Sequence, residues 1–266
     1  MSNEAMGGGG QALRWLRRTV TLPYLWLLLF FLAPFLIILK ISVAEPIVAQ
    51  PPFTPLLEWG AQGLAGLKAT FDNYAYLFED GYYGIIYLSS LKMAAIGTLL
   101  CLLLGYPMAY SIARQPPRRR QIMLMAVILP FWISFLLRVY AWIGLLNNRG
   151  LINEFLLWLG VIDHPLTMLY NDFAVYVGIV YSYLPFMILP LYANLEKHDH
   201  DLLDAAADLG ARRWQGFIDV TLPLSVPGII GGCLLVFIPA VGEFTIPALL
   251  GGADTLMIGR VLWDEF

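Results

Sequence analysis

The chain has 266 residues, of which 59% are hydrophobic and only 13% are charged. A soluble domain is about 45–50% apolar and about 25% charged, so a soluble fold of this length could not bury so much apolar surface. The net charge of −3 excludes a strongly basic nucleic-acid-binding surface. Both cysteines, Cys101 and Cys233, lie in apolar runs, which excludes a disulfide scaffold and a cysteine-rich metal site. The composition therefore indicates an integral membrane protein without a metal site.

Five apolar stretches are long enough to cross a bilayer as helices, because a hydrocarbon core of about 30 Å needs about 20 helical residues. In chain order they are residues 22–44, a stretch within 84–113, and residues 121–146, 173–195 and 226–250. Backbone groups in lipid must be hydrogen-bonded within their own segment, so we expect all five to be α-helices. The predicted fold is an all-α membrane protein.

The loops on the two sides of these segments differ in basic residues. One side carries ten and the other only three; the ten are Arg14, Arg17, Arg18, Arg114, Arg118, Arg119, Arg120, Lys197, Arg212 and Arg213. Since Lys and Arg concentrate in cytoplasmic loops, the N-terminus is predicted to be cytoplasmic. Residues 1–21 then form a cytoplasmic N-terminal arm and residues 22–266 the transmembrane domain. A short apolar piece in the outer loop 147–172 cannot cross the bilayer and is expected at its interface.

The inner loop 196–225 contains the pattern of an amphipathic helix that ends at Gly210. Four residues at helical spacing make an apolar face, namely Leu202, Ala205, Ala206 and Leu209. Three acids at helical spacing make a neighbouring stripe, namely Asp201, Asp204 and Asp208. A second amphipathic stretch follows, and Pro223 and Pro227 are expected to mark the start of the fifth span. The pattern leaves two alternatives: the apolar face packs on its own bundle, or it docks a cytoplasmic partner.

The same loop resembles the EAA loop of ABC importer permeases. The family pattern is E-A-A, three residues, G, nine residues and I-x-L-P. Here Asp204-Ala205-Ala206, Gly210 and Val220-Thr221-Leu222-Pro223 keep that spacing, with Asp in place of Glu and Val in place of Ile. Residues 134–142 and 242–252 are also similar to the permease subunits of polyamine (spermidine/putrescine) importers.

The resemblance implies a type I, MetI-like permease bundle in a bacterial inner membrane, with a sixth helix expected after Phe266. It further implies a second, related permease subunit, two ATPase subunits, a periplasmic substrate-binding protein and contact with membrane lipid. The chain has no P-loop motif, so we expect no catalysis and no cofactor in it, with ATP and Mg on the ATPases. The coupling residues implied are Asp201, Asp204, Ala205, Ala206, Asp208, Gly210, Leu222 and Pro223.

Glu243 is the one acid within the five predicted spans, and ionisable groups in membrane segments are functional candidates. Glycines and prolines interrupt the fifth span, and Pro247 cannot donate to the carbonyl of Glu243, so carboxylate and carbonyl could together bind an ammonium group. The alternative is that Glu243 is structural, either neutral or paired with Arg138. Counting residues from the span ends places Arg138 at a similar depth, so we hypothesise that it holds Glu243 until a substrate ammonium competes.

Aromatic side chains could add a cation–π lining to this pathway, and Trp142 and Tyr183 are the candidates. The alternative is that they belong to the ordinary aromatic belts of a membrane protein. The function predicted is a permease subunit of an ABC importer for polyamines. Three alternatives remain open: an importer for another small solute (iron, a sulfate-like anion or another organic cation), a secondary transporter that protonates Glu243, and a membrane-bound structural or assembly subunit.

Overall fold

The computed structural model describes residues 8–45, 47, 53–54, 57–60, 63–67, 70–79, 81–199 and 201–265. These fall into two compact units, Met1–Gly81 and Tyr82–Phe266. The first contains α1 (Gly8–Ser42), β1 (Leu57–Gly60), β2 (Gly63–Leu67) and α2 (Asp72–Glu79). The second contains α3 (Tyr82–Ala113), α4 (Pro117–Ile128), α5 (Phe135–Leu146), α6 (Leu151–Trp158), α7 (Asp172–Leu195), α8 (Asp201–Asp208), α9 (Arg213–Gly216), α10 (Leu222–Val241), α11 (Thr245–Leu250) and α12 (Ile258–Glu265).

The first unit is built on α1, whose part from Val20 to Ser42 is apolar enough to cross a membrane. The helix begins at Gly8 and so extends into the predicted N-terminal arm, whose residues 1–7 lie outside the described residues. The Asn73 side-chain amide of α2 donates to the carbonyls of Ser42 and Ala44, at 3.1 and 2.9 Å, and ties α2 to the end of α1. Strands β1 and β2 form an antiparallel hairpin that the sequence analysis did not predict.

The core of the second unit lies between α3, α7 and α10, which pack against one another. These helices are apolar on all sides, as expected of helices buried against protein on one side and lipid on the other. Close packing requires Gly232 of α10, because a Cβ there would lie 2.7 Å from the Sδ of Met187 and 3.2 Å from its carbonyl oxygen. Met187 of α7 is completely buried as a result.

The third predicted span is not one helix. It runs through α4 and a 3₁₀ turn, Leu129–Trp132, breaks at two extended residues, Ile133 and Ser134, and resumes as α5. The segments Pro117–Trp132 and Phe135–Trp158 are bent by 91° relative to each other. In the part of the chain that the structure describes, four helices can span a membrane by length and composition, or five if the bent pair is one span. The expected five spans are reached when the bent pair is counted as one span, whereas a continuous helix over 121–146 is wrong.

The fifth span begins earlier than predicted. A continuous helical run joins α9 to α10 from Arg213 to Val241, through a π-helical turn at Phe217–Thr221. Pro223 has no N–H to donate, and the wider turn before it accommodates that loss without ending the helix. Pro223 thus lies in the first turn of α10 and Pro227 inside it, but the continuous helical run itself starts earlier, at Arg213. The helix ends at Val241, and α11 follows after a short break, as the glycines and prolines of this span indicated.

Candidate functional site

Glu243 lies in the break between α10 and α11, and its side chain is almost completely buried. One carboxylate oxygen accepts hydrogen bonds from the backbone N–H groups of Thr245 and Ile246, at 2.9 and 3.4 Å. These are the first N–H groups of α11, which have no partner within their own helix. The other carboxylate oxygen accepts a hydrogen bond from the Tyr183 hydroxyl of α7. The break in the helix thus orients the carboxylate, and three donors stabilise it.

The backbone carbonyl of Glu243 does not join the carboxylate in an ammonium site. It faces α12, where a Cβ on Gly259 would lie 2.8 Å from the carbonyl oxygen. Because Pro247 has no N–H to donate to it, this carbonyl was expected to be free, but the packing of α12 covers it. The carboxylate is therefore the part of Glu243 that can meet a ligand.

Glu243 and Tyr183 line a cavity of about 450 Å³. Its other walls are mostly apolar and aromatic: Phe131, Phe135, Arg138, Ser182, Phe186, Pro239, Gly242, Phe244 and Thr245. A buried carboxylate beside several aromatic faces can attract a cationic group both by charge and by cation–π interaction. The cavity thus brings together Glu243, Tyr183 and Arg138 from three different predicted spans.

Arg138 does not pair with Glu243, so the expected ion pair is wrong for this structure. Arg138 is in the first turn of α5 and only 7% exposed, and its Nε and Nη1 atoms have no hydrogen-bond partner. Its guanidinium lies over the rings of Phe131 and Phe135, with its central carbon 5.2 and 5.7 Å from their centroids. Depths counted from the span ends hold only for straight helices, whereas here the bend before α5 and the break before α11 decide which groups meet.

Trp142 lies outside this cavity. Its ring packs edge-on against that of Tyr181, with the centroids 5.4 Å apart, and it contacts the apolar core. The sequence analysis missed Ser182 and the phenylalanines of the cavity wall. Phe131 and Phe135 stand seven and three residues before Arg138, and on one continuous helix this spacing would place all three on one face. Because the helix is interrupted at Ile133 and Ser134, the spacing alone does not predict that they meet.

The second candidate site is the hairpin of α8 and α9, which lies in the predicted inner loop 196–225. Gly210 has a φ of +87° and ends α8 as predicted. Its N–H donates to the carbonyl of Ala207 at 2.9 Å, and the N–H of Ala211 donates to that of Ala206 at 3.0 Å. A Cβ at Gly210 would meet no atom within 4 Å, so the backbone conformation alone selects glycine here.

The predicted apolar face of α8 is not buried on the chain's own bundle. Leu209 is 89% exposed and Leu202 is 46% exposed, while Ala205 is exposed and Ala206 is half-buried. The three aspartates of the acidic stripe, Asp201, Asp204 and Asp208, are exposed as well. Leu203 is the residue that faces inward, toward Gly216 of α9. Of the two alternatives left by the sequence, the exposure favours a docking face.

Leu222 and Pro223, the last residues of the motif, lie at the start of α10 and are exposed. Two contacts that the sequence did not indicate link the neighbouring segments just before the hairpin and at the start of α4 and α10. Arg120 at the start of α4 forms an ion pair with Glu196 at the end of α7. The His198 ring nitrogen Nε2 lies 3.2 Å from the carbonyl oxygen of Leu224.

Residues 101–265 match the family model described as "Binding-protein-dependent transport system inner membrane component". The chain is 44% identical over 241 residues to the spermidine/putrescine transport system permease protein PotB of Escherichia coli, covering 91% of this chain and 82% of that protein. It is 41% identical over 248 residues to the protein of the same name from Haemophilus influenzae, covering 93% and 82%. Among solved structures, the bacterial alginate ABC transporter in complex with an alginate pentasaccharide-bound periplasmic protein has a similar fold, with a TM-score of 0.62 and 20% identity over 96% of this chain and 84% of that chain.

Proposed function

Because the chain belongs to the family of binding-protein-dependent transport system inner membrane components, we propose that it is the permease subunit through which an ATP-driven importer takes polyamines from the periplasm to the cytoplasm. The observation that carries the substrate class is the 44% identity, over 91% of the chain, to a permease named for spermidine and putrescine. The N-terminus is cytoplasmic in this proposal, in accordance with the basic residues of the inner loops.

The cavity around Glu243 supports a cationic substrate. Polyamines carry ammonium groups joined by short methylene chains, and the cavity offers a carboxylate and apolar aromatic walls at the same place. A substrate ammonium can donate to the carboxylate oxygen that now accepts from Tyr183, while the backbone donors of Thr245 and Ile246 keep the other oxygen in place. Glu243 and Tyr183 therefore form the substrate-pathway site, with Arg138 beside it, whereas Trp142 lies outside the cavity against Tyr181.

The hairpin of α8 and α9 supports coupling to an ATPase. An exposed leucine at the tip of a cytoplasmic helix, next to an acidic stripe, fits a partner cleft with an apolar floor and basic edges. In this proposal Asp201, Asp204, Ala205, Ala206 and Asp208 contact the ATPase, Gly210 shapes the turn, and Leu222 and Pro223 connect the hairpin to α10.

The assembly proposed contains this chain, a related companion permease, two ATPase subunits that hold ATP and Mg, and a periplasmic binding protein that delivers the substrate. The two permeases together enclose the pathway within the lipid bilayer. This chain carries out no chemistry and turns ATP-driven movements of the hairpin into alternating access.

Uptake of labelled putrescine and spermidine into proteoliposomes that contain the full complex tests this function. We expect uptake to require ATP and loaded binding protein and to be unaffected by a protonophore. Uptake that needs a proton gradient but not ATP would instead establish a secondary transporter that uses Glu243. ATP-driven uptake of an anion but of neither polyamine would replace the substrate class.

A further inference from the structure

Arg138 has donors that nothing in the described part of the chain accepts. Its side chain is more than nine-tenths buried, and the Nε and Nη1 atoms have no hydrogen-bond partner. The faces of the Phe131 and Phe135 rings attract the guanidinium by cation–π interaction. They do not supply hydrogen-bond acceptors for the N–H groups that point outward in the plane of the guanidinium. A buried ionised group inside a membrane protein is stable only when an opposite charge or several acceptors complete it.

Ser182 is a second group of the same kind in the same cavity. Its hydroxyl oxygen is buried and has no hydrogen-bond partner, and it comes from α7, whereas Arg138 comes from α5. Two helices thus present unsatisfied donors to one space. A hydroxyl beside a guanidinium fork is suited to an acceptor with two oxygens, and a carboxylate is the commonest such group in proteins.

In this structure Glu243 is not that acceptor, since it accepts no hydrogen bond from Nε or Nη1 of Arg138, and a polyamine cannot be one. Glu243 is the one acid among the residues that line the cavity, and its carboxylate already accepts three hydrogen bonds. The ammonium groups of a polyamine are donors with no free lone pair, and they repel a guanidinium. The exclusion of the substrate as the acceptor rests on the proposed function, in which the substrate is a polyamine.

The cavity must also be covered by protein or by the aqueous pathway. Phe186, Pro239 and Phe244 line it and are exposed on the surface of this chain. A space that holds a guanidinium and a carboxylate cannot open to lipid without a large cost in free energy. Arginine is enriched among the residues that dominate interface energies, and these residues are surrounded by contacts that exclude water, as exposed apolar groups around Arg138 would do once covered.

We propose that Arg138 and Ser182 form a docking site for a carboxylate side chain, Asp or Glu, from a membrane-spanning segment of the companion permease. The resulting ion pair fixes the register of the two permeases at the depth of the substrate cavity. It also neutralises the charge of Arg138. The negative charge of Glu243 then dominates the electrostatic potential in the cavity, which favours a cationic substrate.

A double-mutant cycle in the assembled complex tests the proposal. Arg138→Gln is combined with the neutralisation of each membrane-embedded acid of the companion permease, one at a time. Co-purification of the companion with this chain and uptake are measured. At one acid, we expect each single variant to lower co-purification about 10-fold, and the double variant to be no worse than either single variant, because the pair is already broken.

Two further variants keep the result interpretable. Arg138→Lys retains the charge without the fork and should retain part of the coupling; it also carries the cycle if the Gln variant fails to accumulate. Arg260→Gln is the matched control, since Arg260 donates to the chain's own carbonyls of Pro247 and Gly252 at 3.2 and 2.9 Å and should combine additively with every companion acid.

Additive effects of Arg138→Gln with every companion acid would overturn the proposal, and so would coupling to Glu243→Gln in place of a companion residue. Co-purification requires no substrate. A wild-type complex that assembles but takes up no polyamine would therefore count against the proposed function and leave this cycle fully informative.

Discussion

Glu243 could be singled out from the sequence because a lone acid in an apolar, glycine- and proline-interrupted stretch is unusual in lipid. Its partners could not. The backbone donors of Thr245 and Ile246 are available because the chain restarts a helix at that point, and Tyr183 approaches from α7, sixty residues away in sequence. Burial of a single residue follows from local composition, whereas its hydrogen-bond partners follow from how separate helices pack.

Replacing Glu243 by Gln keeps the size of the side chain and an acceptor for the α11 backbone but removes the charge. We expect polyamine uptake to fall about 10-fold or more, since hydrogen bonds to an ionised group are worth roughly 1.5–3 kcal/mol. Uptake by the reconstituted complex measures this, with the amount of complex in the membrane as the control. Uptake equal to that of the wild type would exclude Glu243 from the pathway.

Replacing Tyr183 by Phe removes one of the three donors to the carboxylate and leaves its charge and the two backbone donors. We therefore expect a smaller loss of uptake than for Glu243→Gln, about 3- to 10-fold, corresponding to the net value of one hydrogen bond. Tyr181→Phe is the matched control, because Tyr181 packs on Trp142 and does not line the cavity. Equal losses in both variants would show that the effect is one of packing and not of the hydrogen bond.

At the scale of elements, local motifs were more predictable than long segments. The ending of α8 at Gly210 follows from spacing and from the backbone preference of glycine, and the structure has it at that residue with a positive φ. The bend within 121–146 was not predicted, because hydropathy is averaged over a window of residues. Such an average does not detect two extended residues, Ile133 and Ser134, inside an apolar segment. Pro223 and Pro227 led to the opposite error, a helix start placed too late, since the π-helical turn lets the helical run continue from Arg213 into α10.

The turn at Gly210 gives a prediction at this scale. Gly210→Ala should strain the backbone by about 1 kcal/mol, since an L-residue is disfavoured at positive φ, although the space around it is open. We expect ATP hydrolysis by the complex to persist while uptake per ATP falls several-fold. Gly160→Ala is the matched control: Gly160 has a φ of +68° and equally open surroundings but lies in the loop after α6, which the proposed topology places on the other side of the membrane.

Coupling that remains normal in the Gly210 variant, or is lost equally in the Gly160 variant, would contradict a role of the hairpin turn in transmitting force.

The tip of α8 gives a second prediction. Leu209→Asp should leave the folding of this chain unaffected, because the side chain is 89% exposed. It should nevertheless abolish co-purification of the ATPase subunits, since it places a charge in the apolar contact. Val161→Asp controls for surface charge, because Val161 is 67% exposed and lies in the loop after α6, away from the hairpin in sequence. Retention of the ATPase by the Leu209 variant would show that the docking face lies elsewhere on the chain.

At the scale of the whole molecule, composition predicted the membrane and the number of spans, and the EAA spacing predicted the family. What composition and spacing could not supply is the juxtaposition of Arg138, Ser182, Tyr183 and Glu243, because it depends on a bend in one span and a break in another. The hairpin β1–β2 was likewise unpredicted, since its short glycine-rich strands lack the alternation that identifies a strand from sequence.

If this chain couples ATP hydrolysis to the import of a cation, as we propose, the ATPase rate of the assembled complex must depend on the ligand of the binding protein. The rate is measured with the binding protein empty, loaded with putrescine or spermidine, or offered an anion such as sulfate. We predict that either polyamine raises the rate and that sulfate does not. A rate that responds to sulfate alone, or to no ligand of the binding protein, would contradict the account.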